Sequence, residues 1–157
     1  MKEAAKPADP ISLLTREERA YIAGLVDGDG CLRIAFVGPR KQYQYPMFLI
    51  GMTHEGVLLW LRSKLETGTL KLNNHTSLKR NPRWKPQWTV RLHGRRAQLL
   101  CQALLPYLKV KREQAECIIE FPVEGRSGPG RSLLPEMAEH RRVLFERMRL
   151  LNKRGPA

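Results

Sequence analysis

The sequence predicts an α+β fold: a curved four-stranded antiparallel sheet covered on one face by helices, in the order αββαββαα with a final helix. Three observations predict it. The hydrophobic period switches between the helical 3.6 and the strand period of 2 at turn-like stretches. Four runs alternate apolar and polar residues, so each strand has one face for a core and one left over. The chain of 157 residues suits one domain with its own core, and no stretch of it repeats another. That domain is expected over residues 13–152. A mobile N-terminal arm (1–12), where Pro, Ala, Lys and Asp mix without period, precedes it, and a short tail (153–157) follows.

The first helix opens on Thr15-Arg16-Glu17-Glu18, which has the form of a capping box. Tyr21, Ile22, Leu25 and Val26 give it an apolar stripe, while Ala20, Gly24 and Gly28 recur every four residues along another edge. Glycine weakens a helix interior by roughly 1 kcal/mol relative to alanine. Two on one line need a reason, and close approach of another backbone supplies it. The helix ends in Asp27-Gly28-Asp29-Gly30. Acids at a helix C-terminus are disfavoured by about 0.3–1 kcal/mol each. A divalent cation reverses that sign, and carboxylate and carbonyl oxygens are the hard ligands Mg²⁺ prefers. Asp and Gly also make plain turns, the commoner origin of such a tetrapeptide. A plain turn leaves the glycine line unexplained.

The first strand alternates Leu32, Ile34 and Phe36 with Cys31, Arg33, Ala35 and Val37. Gly38-Pro39-Arg40-Lys41 makes a basic hairpin tip. The second strand turns Phe48, Ile50 and Met52 inward and Tyr45, Met47, Leu49 and Gly51 outward. Period 3.6 returns from Glu55 to Leu65, with Val57, Leu58, Leu61 and Leu65 on one side, Trp60 beside them and Thr53 as the expected N-cap. Strand three is Thr69 to Asn73 (Leu70 and Leu72 in, Lys71 and Asn73 out). Strand four is Gln87 to Leu92 (Trp88, Val90 and Leu92 in; Gln87, Thr89 and Arg91 out). Between them Asn74 to Pro86 forms a long tip carrying Lys79, Arg80, Arg83 and Lys85 beside Trp84, and loops of that length usually bind something. Helices follow from Arg95 to Leu104 and from Lys111 to Glu120, stopped by Pro106 and Pro122. After a basic loop, Ser132 is expected to cap a last helix lined by Leu134, Met137, Leu144, Met148 and Leu151.

Charge sets the partner class. Twenty-eight Lys and Arg against 15 Asp and Glu give +13, with a pI near 10.2. So basic a chain is drawn to polyanions, nucleic acid first and a membrane surface second. No stretch approaches the ~20 apolar residues that span a bilayer, and the start lacks a signal-peptide pattern, so an intracellular protein is expected. Cys31, Cys101 and Cys117 are widely spaced, as reduced packing residues are. His54, His75, His93 and His140 are equally scattered, which argues against a zinc finger. The outer strand faces collect Arg33, Lys71, Asn73, Gln87, Thr89 and Arg91. A curved sheet with that face can lie in the major groove, although strands normally carry a solvated polar face. The outer face of the first hairpin is apolar, suiting thymine methyls or a packing partner.

Residues 22–30, I-A-G-L-V-D-G-D-G, are similar to the signature nonapeptide of LAGLIDADG homing endonucleases. They depart from it only conservatively, at Ile22, Val26 and Gly28. The resemblance extends, less sharply, from about Thr15 to Asn152. It implies the αββαββα fold of that family and hydrolysis of DNA phosphodiesters on both strands across the minor groove. By position Asp29 matches the metal-binding carboxylate and the Gly28 carbonyl a further ligand, while Asp27 matches an acid of mainly structural role. Mg²⁺ is the implied cofactor, with Mn²⁺ as a substitute and Ca²⁺ bound without supporting cleavage. Metal ions in such chemistry supply the nucleophile and stabilise the leaving oxygen. Pro106-Tyr107-Leu108-Lys109-Val110-Lys111 resembles the segment ending in a lysine near the scissile phosphate, which assigns that place to Lys111. His54 stands where the family often has a water-orienting Gln; histidine can serve there as a base or as a hydrogen-bonding group. Leu58 stands near where some relatives keep a basic residue.

A single motif cannot serve two scissile phosphates. It implies a homodimer joined along Ala20, Gly24, Asp27 and Gly28, and a near-palindromic double-stranded DNA target. Arg40, Lys41, Arg83 and Lys85 are expected to join the sheet in binding DNA. The alternative is a non-cleaving protein on the same fold, an intron maturase or a DNA-binding regulator, with intron RNA as a further partner. A gene in a mobile intron or intein, and a site of action at DNA in a bacterial or archaeal cytoplasm or an organelle, are the expected setting.

Overall fold

The capping box forms as read. Thr15 Oγ1 accepts the Glu18 N–H at 3.1 Å, and the Glu18 carboxylate accepts the Thr15 N–H at 3.0 Å. It starts α1 (Arg16–Asp29) in a computed structural model that describes residues 8–37, 43–73, 83–123 and 133–153. The strands are β1 (Gly30–Val37), β2 (Tyr43–Met52), β3 (Thr69–Asn73) and β4 (Gln87–His93). Helix α2 (Glu55–Leu65) separates β2 from β3, and α3 (Gly94–Leu104), α4 (Arg112–Glu120) and α5 (Pro135–Leu151) follow β4. The sheet runs β1-β2-β4-β3 with every pair antiparallel. No helix among the described residues is long and apolar enough to cross a membrane.

One core lies between the sheet and the helices. Ile22, Ala23 and Val26 of α1 meet Leu32, Ile34, Phe48, Ile50, Val90 and Leu92 from the sheet, with Leu58 and Leu61 of α2 and Leu100 and Ile118 behind them. Period 2 places these strand residues on one face, so the opposite face stays outside the core. Gly30 is required where helix passes into strand: a Cβ there would stand 2.6 Å from the Val26 carbonyl oxygen.

Several expectations change. The chain is tied down well before residue 13. Pro10–Leu13 forms a 3-10 turn capped by Asp9, and Ile11 is only 2% exposed. Arg96 pairs with Asp9, and Arg19 donates to the Leu14 and Ser12 carbonyls. The Asp9–Arg96 pair joins residues 87 positions apart, which local composition does not announce. The α2 N-cap is His54 rather than Thr53. Phe36 and Leu72 are partly exposed near strand ends, where the helix layer no longer covers them, although Phe36 stacks edge-on against Phe145 at 4.9 Å. In α5, Leu134 is exposed and the buried line contains Arg141 instead. Its guanidinium lies 5.0 Å from the Phe121 ring centre and donates to the Pro122 carbonyl at 2.6 Å. A charge reaches the core edge because it satisfies carbonyls left over after α4. The hairpin tip with Arg40 and Lys41, the first part of the long tip with Lys79 and Arg80, and Ser132 lie outside the described residues.

Candidate active site

The two acids ending α1 have opposite surroundings. The Asp27 carboxylate accepts backbone N–H groups from Lys109 at 2.7 Å, Val110 at 3.2 Å and Lys111 at 2.9 Å. Desolvation works to raise its pKa, but these donors and the Lys111 charge hold it below the ordinary aspartate value. Lys111 also donates from Nζ to the Asp27 carbonyl oxygen at 2.6 Å. The negative end of α1 thus receives an ammonium, while the positive start of α4 receives a carboxylate. Both arrangements follow the helix dipole. Asp27 was expected at a dimer contact, but its carboxylate is committed within its own chain. One sign of this brace is the start of α4, where the N-cap Lys111 makes no side-chain cap hydrogen bond, so an acceptor must come from elsewhere.

Asp29 is exposed, with no hydrogen bond or ion pair to the described residues. Gly28 beside it is also exposed, in a last turn whose carbonyls lack following N–H groups. A bare carboxylate next to such a carbonyl is a fit for a hard divalent cation. Among the described residues no three His, Cys, Asp or Glu come together, so one chain offers this ligand pair alone. The register sets Gly30 opposite Ile50. His54, just past the end of β2, therefore lies at the same end of the sheet as Asp29. Its Nδ1 accepts the Val57 N–H at 3.3 Å. That bond places the proton of the neutral ring on Nε2, which stays free to donate.

Ala20, Gly24 and Gly28 are all exposed, and a Cβ added at either glycine meets nothing within 4 Å. Tyr21 beside them is also exposed and contacts Trp60 edge-on at 5.4 Å. The other side of the same helix is fully packed.

The open face of the sheet carries no acid, because none of the four strands contains Asp or Glu. Arg33, Lys71 and Gln87 are exposed on it, with Arg83 and Lys85 at the tip beside exposed Trp84. Only the backbone of Asn73 is described. Thr89 differs from expectation: it is 5% exposed, with its hydroxyl toward the Lys71 carbonyl, so it cannot reach a base edge. Met47 is 3% exposed although it lies on this open face and outside the core cluster. It sits between Arg33 on β1 and His93 on β4, its two cross-strand partners. Desolvation, then the charges of Arg91 and Arg33, hold the His93 imidazole below the usual histidine value. Neither His93 nor the Lys109–Asp27 contact was marked by the sequence, since each depends on pairing between distant segments.

No protein-family model and no curated protein matches the chain. Solved structures do. The homing endonuclease I-CvuI in complex with its target is 21% identical, covering 90% of this chain and 86% of its own at a TM-score of 0.69. The archaeal intron-encoded homing endonuclease I-Vdi141I, complexed with DNA, is 12% identical over 89% and 87%, with a TM-score of 0.64. The LAGLIDADG meganuclease I-AabMI is 16% identical at a TM-score of 0.56, and this chain spans 43% of it. At these identities the likeness is one of architecture. The chain has the LAGLIDADG homing endonuclease fold.

Proposed function

We propose that the protein is a site-specific LAGLIDADG homing endonuclease that makes double-strand breaks in DNA as a Mg²⁺-dependent homodimer. One observation carries the reading: the bare Asp29 stands at the end of a helix whose glycine edge is uncovered, next to a sheet face without acids. The similar proteins, among them one solved with its target in Ca²⁺, give the same fold a nuclease context. Bound at Asp29 and the Gly28 carbonyl, a divalent cation would supply the nucleophile and neutralise the leaving oxygen.

The chain's own residues do the rest. The Asp27 brace fixes the last turn of α1, so Asp29 is presented without searching. Lys111 Nζ lies against the carbonyl of Asp27, two residues before Asp29, where its ammonium offsets charge building on a scissile phosphate. His54, with Nδ1 engaged, acts as an Nε2–H donor that orients water. Arg33, Lys71, Gln87, Arg91, Arg83 and Lys85 bind DNA from the open face and tip, and Arg40, Lys41 and Asn73 join them in binding it. One Asp29 per chain requires a partner copy for the second strand. The Ala20-Gly24-Gly28 edge meets itself across a two-fold axis, and the target is near-palindromic.

The test is selection of cleaved sites from a randomised plasmid library with Mg²⁺, using the Asp29→Asn protein as control. A palindromic cleaved site, absent with the variant, supports the reading. Double-strand breaks made by a protein that sediments as a monomer would overturn the dimer.

A further inference from the structure

We propose that Arg33, Arg91 and His93 form a proton-coupled anion subsite on the open face of the sheet, in which His93 takes up a proton as an acceptor-only, electronegative group of DNA settles against it. The proposal rests on the DNA-binding reading above and adds a regulation to it.

Geometry brings the three groups together. Arg33 and His93 flank Met47 in a single cross-strand row, about two strand spacings, or ~10 Å, apart at the backbone. Arg91 precedes His93 by two residues and points to the same face, paired with Leu49 and Thr69. The buried Met47 makes the floor apolar, which strengthens repulsion among the cations above it. The charged and titratable residues that the register puts on this face are Cys31 and Arg33 of β1, Tyr43 and Tyr45 of β2, Lys71 of β3 and Arg91 of β4. None is a carboxylate.

Burial, and then the charges of Arg91 and Arg33 that arginine cannot shed, disfavour imidazolium at His93 in the free protein. The Arg91 Nε atom is buried and has no hydrogen-bond partner among the described residues. An unmet donor beside a histidine disfavoured as a cation suits an acceptor group. When an oxygen-rich group arrives, the same cluster favours imidazolium, and binding draws in a proton. A backbone phosphate and the O6/N7 edge of guanine both offer that chemistry.

The experiment measures affinity of the full-length protein, in chelator and at fixed low salt, for duplexes of alternating dG-dC and of alternating dA-dT. Wild-type affinity should rise as pH falls from about 8 to 5.5, by up to about tenfold per pH unit for one linked proton. His93→Gln should bind without that slope, at the wild type's high-pH affinity, whereas His140→Gln on α5 should keep it. Equal slopes on both duplexes identify phosphate, and a slope confined to dG-dC identifies guanine. A flat wild-type profile, or an unchanged slope in His93→Gln, overturns the subsite and leaves the DNA reading standing. Loss of all duplex binding at every pH overturns both. NMR titration of the wild-type His93 ring gives a readout independent of any variant: its midpoint should move to higher pH with duplex present, and an unmoved midpoint refutes the proposal.

Discussion

The two sides of α1 differ in what holds them. Ile22, Ala23 and Val26 on one side are buried against the sheet and α3, whereas Ala20, Gly24 and Gly28 on the other are exposed. The contrast continues at the helix end, where Asp27 is held by three N–H groups and Asp29 by none. One side explains why the helix is where it is. The other lies open among the described residues, and the proposed assembly and chemistry are placed there.

Asp29→Asn tests the bare side most severely. Cleavage should fall by a factor on the order of a thousand or more, a loss of about 4 kcal/mol of transition-state stabilisation. DNA affinity measured in Ca²⁺ should stay near wild type; loss of both would make Asp29 structural.

Matched leucine substitutions separate the sides next. Ala23→Leu overfills a closed core and should cost about 1–3 kcal/mol in denaturant melts. A Cβ at the exposed Gly24 meets nothing within 4 Å, so Gly24→Leu should leave the monomer as stable or better by up to about 1 kcal/mol. Sedimentation should nevertheless show that it dissolves the dimer. A dimer that survives Gly24→Leu breaks the comparison.

Asp27→Ala removes the acceptor at the start of α4 and should cost about 0.5–2 kcal/mol, as other N-cap losses do. The pH dependence has a definite sign. Because the folded-state pKa of Asp27 is lowered, its contribution is present above the unfolded value of about 3.9 and disappears as pH falls through the folded one. Acid unfolding of Asp27→Ala should therefore lack that component. Thr15→Ala, at the other end of the helix, should cost about 1 kcal/mol and leave cleavage unchanged.

What could be read from the sequence was what local pattern encodes. The capping box, the four alternating strands, the α2 stripe and the glycine edge depend on neighbours within a few residues, and each lies where its spacing places it. The misread features depend on distant segments. Ile11 is buried by elements that follow it by dozens of residues, and Arg141 fills an apolar line because Pro122 and Val123 leave carbonyls there. Thr89 obeys the outward alternation yet is covered by its strand neighbours. Of the site, the positions of Asp29, Gly28 and the bare edge were legible. The groups that hold Asp27 were not, because it finds its partners across the chain.

That last contact has a consequence for biosynthesis. It joins residues 82–84 positions apart, so a nascent chain carries the whole nonapeptide long before the segment that steadies it leaves the ribosome. A fragment ending ahead of Pro106 would own both motif acids and lack their anchorage.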